Sequence, residues 1–162
     1  MVHEITHSGI IVTLAPPMSA RIDELIALCD WPVISQPTAR TLFQQIEAHR
    51  PTCLLFWLEA DNDIKPAAQL VTLLRDRGPR PYRIAVAHCL DASVEQTFRS
   101  AGVHSYFAVT GNLRALVDEA LLPIADLHRA PTRTRTTHAR DVPVAIRGPT
   151  EARASPTPMR PP

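Results

Sequence analysis

Glu59, Asp61 and Asp63 place three carboxylates within five residues, directly after the apolar run Cys53–Leu58. Such a set can offer hard oxygens to a divalent cation. An EF-hand-type loop, however, needs a glycine at its turn and a distal glutamate at fixed positions, and this segment has neither. A solvated loop in which Asp63 caps the following helix is the simpler reading. His88 and Cys89 form a second pair. A thiol at the mouth of a helix can become nucleophilic through the helix dipole, but the sequence offers no third group to orient the pair, so a small buried cysteine beside a rim histidine is the plainer expectation. His49 and His104 fall at element edges and should face solvent. Trp57 can serve as a stacking platform for a ligand or, more simply, fill the core at the end of a central strand.

Several chemistries are excluded by what is missing. The five glycines (9, 78, 102, 111 and 148) form no G-x-G-x-x-G or Walker loop, which argues against a phosphate or dinucleotide cradle. Cys29, Cys53 and Cys89 are odd in number and lack C-x-x-C spacing, so a reducing compartment without disulfides is expected. The start MVHEITHSG has neither the basic residues nor the apolar stretch of a signal peptide, and no apolar run approaches the roughly 18 residues of a membrane span. A soluble cytoplasmic protein with no membrane span is expected.

Charge and aromatic content divide the chain. All eight aromatic side chains lie between Trp31 and Phe107, which places the core there. Residues 129–162 hold seven arginines against Asp141 and Glu151, leaving residues 1–128 with ten basic and fourteen acidic side chains. The near-neutral total therefore conceals an acidic body and a basic tail. The tail also holds seven of the sixteen prolines and cannot bury enough apolar surface to offset its ordering entropy, so it is expected to be disordered. Its TRTRTTHAR segment (132–140) can contact phosphates or anionic lipid nonspecifically, but without aromatic residues for base stacking no specific nucleic-acid partner is expected. The closing SPTPMRPP contains a minimal P-x-x-P pattern, which arises easily in Pro-rich sequence.

Between these ends the pattern alternates. Short apolar runs at 9–15, 31–35, 53–58, 83–88 and 104–109 read as buried strands. Between and after them, apolar residues recur at helical spacing: Ile22, Leu25, Ile26 and Cys29; Ala39, Leu42, Phe43 and Ile46 after the cap residue Thr38; Ala67, Leu70, Val71 and Leu74 before Gly78; Val94 and Phe98 after the cap residue Asp91 and before Gly102. A last stripe, Leu113, Leu116, Val117, Ala120, Leu121 and Ile124, follows Asn112 and reads as the most regular helix. Strict β-α alternation with short connections predicts an α/β fold: a flavodoxin-like, doubly wound, five-stranded parallel sheet in the order 2-1-3-4-5 with five helices. The predicted organisation is an N-terminal extension (1–8), one domain (9–128) and the tail (129–162).

Over residues 9–124 this arrangement resembles the response-regulator receiver (CheY-like) family. PTCLLFWLEAD (51–61) is similar to that family's third strand and acidic loop, and AGVHSYFAVTG (101–111) to its turn into strand five. Receivers take a phosphoryl group on an aspartate ending strand three, with a Mg²⁺ ion held by acids after strand one, a Ser or Thr ending strand four and a Lys ending strand five. The resemblance puts the phosphoacceptor position on Trp57, the hydroxyl position on Ala87 and the lysine position on Val109. No Asp or Glu lies between Glu4 and Asp23, and the single lysine, Lys65, opens the third helix.

Without those acids a divalent cation has no oxygen cage, and without Lys or Mg²⁺ nothing neutralises a phosphoryl group. The resemblance therefore implies a degenerate pseudo-receiver: a non-enzymatic signalling or scaffolding module with no cofactor, Mg²⁺ or phosphoryl group. Such a module would act on a protein partner through the face of helix 4, strand 5 and helix 5. Tyr106, which matches the family's switch aromatic, Arg114 and Asp118 mark that face, which can also support a homodimer. Two other readings stand beside it: a small-molecule or cofactor binder using the strand ends around Trp57 and His88, and an enzyme dependent on Cys89.

Overall fold

The computed structural model describes residues 9–14, 20–88, 90–109 and 111–128, all within one compact unit, Met1–Ala130. The predicted extension (1–8), Cys89 and the tail (129–162) lie outside the described residues. Five parallel strands, β1 (Gly9–Thr13), β2 (Val33–Ser35), β3 (Cys53–Leu58), β4 (Tyr82–Ala87) and β5 (Ser105–Ala108), are ordered β2-β1-β3-β4-β5, as expected. They alternate with α1 (Ala20–Cys29), α2 (Ala39–His49), α3 (Ile64–Arg77), α4 (Ala92–Ala101) and a last helical run, α5, built from Leu113–Leu116, Val117–Leu121 and Leu122–His128. The strands are one to two residues shorter at several ends than the apolar runs suggest. Trp31, read as part of the second strand, instead precedes it and packs flat against Gly9, where a Cβ would meet the indole at 2.6 Å.

The pleat sorts each strand onto two helical layers. Ile10, Val12, Leu54, Phe56, Leu58, Ala85 and Ala87 face α2, α3 and α4, meeting Leu42, Val71 and Phe98. Ile11, Cys53, Leu55, Trp57, Ile84 and Val86 face the other way, onto Ile22 and Leu25 of α1 and the stripe of α5. β3 is buried at all six residues because it has a strand on each side and helices on both faces.

Capping follows the sequence at two helices. Thr38 accepts from the Thr41 amide at 3.1 Å, and Asp91 from the Ser93 and Val94 amides at 2.8 and 3.3 Å. Asp63 corrects the reading of it as a cap for the third helix. Its carboxylate points backward and accepts from the Glu59 and Ala60 amides, both at 3.2 Å, closing the short 3-10 turn Asp61–Asp63 ahead of α3. Gly78 ends α3 at φ 140°, a conformation open to glycine, but with an extended ψ of 179° rather than a left-handed helical one.

The last helix is a second correction, since the stripe read as the most regular contains a π-helical segment, Val117–Leu121, marked by a Leu122 amide bonded to the Val117 carbonyl. Its fully buried positions, Leu113, Val117, Leu121 and Ala125, are spaced by four throughout. In an α-helix of about 3.6 residues per turn, each step of four drifts about 40° off the stripe. A wider turn in the middle returns the later residues to the sheet. Leu116 is consequently half-buried, not part of the sealed stripe.

Candidate functional site

The carboxyl ends of the strands are where a doubly wound sheet collects its ligands. In register, Thr13 of β1 pairs with Trp57 of β3, and Trp57 with Val86 of β4. The Trp57 indole is 5% exposed and turned into the α1/α5 layer, and its Nε1–H donates to Glu59 Oε1 at 2.9 Å. Ala87 and Val109 lie side by side, the Val109 amide donating to the Ala87 carbonyl at 2.8 Å, and both are buried. Thr13, at the end of β1, is buried and donates from Oγ1 to Ser35 Oγ at 3.3 Å. The three positions of the expected site are thus brought to one end of the sheet, and each fills space with carbon.

A Mg²⁺ ion does not fit this set. Two of the three loop carboxylates are engaged elsewhere, Glu59 with the Trp57 indole and Asp63 with the backbone amides of its own turn, while Asp61 is exposed. Among the described residues no group of three or more His, Cys, Asp or Glu side chains is placed to hold a metal ion. As a stacking platform Trp57 presents almost none of its ring, while His88 is exposed at the rim. Cys89 lies outside the described residues. Burial pushes the Cys53 thiol up to about 11 and, with added repulsion from Asp118, that of Cys29 up to about 12, so both stay protonated and unreactive near neutrality.

The residues assigned to the interaction face do not share one surface. Tyr106 is buried among the α3 and α4 side chains, its ring 6.3 Å from that of Phe98. Arg114 and Asp118 are exposed on α5 and form an i,i+4 pair at 3.6 Å. Beside them a shallow groove of about 300 Å³ runs between the β5 end and α5, lined by Val109, Asn112, Ala115, Leu116 and Glu119.

At the opposite end of the sheet lies a polar network that the sequence does not announce. Arg83, 3% exposed on β4, donates from Nε to the Gly102 carbonyl at 2.8 Å and from Nη1 to that of Gly78 at 3.1 Å, tying the turn after α3 to the turn after α4. Its backbone amide donates to His104 Nδ1 at 3.0 Å. The expectation that His104 faces solvent is therefore corrected. Its ring is half-buried and stacks on Tyr82 at 4.5 Å, and Tyr82 stacks in turn on His128 at 4.0 Å. Burial, then the nearby charges of Arg83 and His128, hold the His104 pKa below its ordinary value. His49 is exposed as expected. A buried arginine inside an apolar run was the available signal, since such a charge must find partners.

No family model and no curated protein matches the sequence. Similarity to solved structures is extensive in shape and low in sequence. A CheY-like protein, TadZ, from Pseudomonas aeruginosa superposes with a TM-score of 0.59 at 14% identity, over 72% of this chain and 98% of that one. A putative pilus assembly-related protein from Burkholderia pseudomallei gives 0.56 at 18% identity, over 75% and 91%. A response regulator receiver domain protein from Methanospirillum hungatei gives 0.54 at 17% identity, over 75% and 95%. The chain has the receiver fold.

Proposed function

We propose that this chain is a pseudo-receiver: a signalling or scaffolding module that keeps the receiver scaffold, takes no phosphoryl group and acts by binding a protein partner. The observation that carries this reading is Trp57. Its buried indole stands at the phosphoacceptor position, with Ala87 and Val109 at the hydroxyl and lysine positions and no carboxylate between Glu4 and Asp23 to hold a cation. A site filled with carbon has no charge to neutralise and none to transmit. The scaffold's surfaces are what remains to act.

The face of α4, β5 and α5 is the partner surface in this reading. Phe107 on the edge strand is half-buried, Leu116 lines the groove beside it, and the Arg114–Asp118 pair supplies exposed charge. Such an exposed pair adds little to stability, so it can be changed without unfolding the domain. Arg114→Glu with Asp118→Arg should leave the circular dichroism spectrum unchanged while weakening partner capture by the full chain, or dimerisation if the partner is a second copy. Retention of every partner and of the oligomeric state by this variant would remove the face from consideration.

A further inference from the structure

On the other side of α4, away from the face just described, an open groove of about 830 Å³ runs between α3 and α4. Small residues line it on both sides, among them Ala68 and Thr72 on α3 and Thr97 and Ser100 on α4. Their polar atoms are largely spoken for. Thr72 Oγ1 donates to the Ala68 carbonyl and Thr97 Oγ1 to the Ser93 carbonyl, each at 2.9 Å, and Ser100 Oγ accepts from Gln96 at 3.1 Å. What the groove offers a visitor is therefore mainly carbon, with Leu73 standing 44% exposed on its α3 side.

Charge says which visitor fits. The lining contains Lys65 and Arg75 and no carboxylate, on a body that is acidic by four charges over residues 1–128, these two cations included. Lys65 is exposed and has no ion-pair partner among the described residues. Arg75 spends one N–H on the Ser100 carbonyl at 2.9 Å and approaches Asp76 at 3.5 Å, leaving further donors of its five. The two cations lie ten residues apart on one helix, about 15 Å along its axis, the length of roughly three turns of a second helix. We propose that the α3–α4 groove docks an acidic amphipathic helix of a partner protein. Its apolar stripe would lie on Leu73 and Ala68, and its carboxylates would reach Lys65 and Arg75. A basic segment has the wrong sign for this rim.

The test uses the full chain and two labelled helical peptides of equal length, each with leucines at i, i+3, i+4 and i+7. One carries glutamates at its other positions and one carries lysines. Saturable binding of the glutamate peptide by fluorescence anisotropy, weakened about tenfold or more by Leu73→Asp and by Lys65→Glu, with the lysine peptide failing to bind, is the expected result. Both substituted side chains are exposed, and an unchanged circular dichroism spectrum will show the variants folded. Glutamate-peptide binding that ignores both substitutions, equal binding of the two peptides or no saturation would overturn the proposal. Capture of phosphatidylserine vesicles instead of the glutamate peptide would assign the groove to an anionic membrane surface and overturn it equally. Because the Arg114→Glu/Asp118→Arg variant alters a different face, its failure to weaken partner capture would leave this result unaffected.

Discussion

Replacing Trp57 by alanine would open a hole at the end of β3, where the fold buries one of its two tryptophans. The indole is 5% exposed and packs in the layer formed with Ile11, Val86, Val109 and Leu113. Removing a side chain of this size from a packed interior costs about 3–5 kcal/mol through lost transfer energy and a cavity that neighbours only partly fill. Trp57→Phe isolates the other contribution, because it keeps a ring in the layer and removes the Nε1–H donated to Glu59 at 2.9 Å. Glu59 is half-buried and can turn to water, so the lost hydrogen bond and the volume difference together should cost about 1–2 kcal/mol. Urea unfolding followed by far-ultraviolet circular dichroism reads both values, provided the slope with denaturant is unchanged. A cost below about 1 kcal/mol for Trp57→Ala, or equal costs for the two variants, would show that the indole does not fill the site, and the reasoning from a carbon plug would fail.

Two further expectations concern the polar network at the start of β4 and the stripe of α5. The His104 pKa is depressed in the fold, by burial first and then by Arg83 and His128, so the unfolded chain takes up the proton at higher pH than the folded one. Stability held above the ordinary histidine value of about 6.5 should therefore fall as pH drops below it, and His104→Asn should flatten that slope in pH-dependent urea titrations; an unaltered slope would rule out His104 as its source. On α5, Leu121 is fully buried and Leu116 half-buried, so Leu121→Ala should cost about 2–5 kcal/mol and Leu116→Ala no more than about half of that. Calorimetric midpoints in the reverse order would contradict the place given to the π-helical segment.

The sheet was legible because its information is local. A short apolar run such as Cys53–Leu58 can only be a covered strand, and the stripes between such runs dictate helices and short right-handed crossovers. That Trp57, Ala87 and Val109 carry no acid, hydroxyl or amine was legible from their residue types alone. What escaped were features that depend on distance and direction. His104 meets Arg83 across 21 residues, a pairing that only the β4–β5 register creates. Asp63 has cap-competent chemistry, but the 3-10 turn puts the Glu59 and Ala60 amides nearer to its carboxylate than those of α3. The π-helical segment is hinted at by the fourfold spacing from Leu113 to Ala125, yet the mixed stripe with Leu116 and Ile124 also satisfies an ordinary helix. The α3–α4 groove is lined by residues from two helices, which no residue pattern within either one specifies.

A pseudo-receiver's strand ends accept no phosphoryl group, and the intact mass of the full chain after incubation with acetyl phosphate and Mg²⁺ reads this out. With Trp57, Ala87 and Val109 buried at the three positions, the mass should be unchanged. A stable increase of about 80 Da that mild base removes, the signature of an acyl phosphate, would instead show a working receiver.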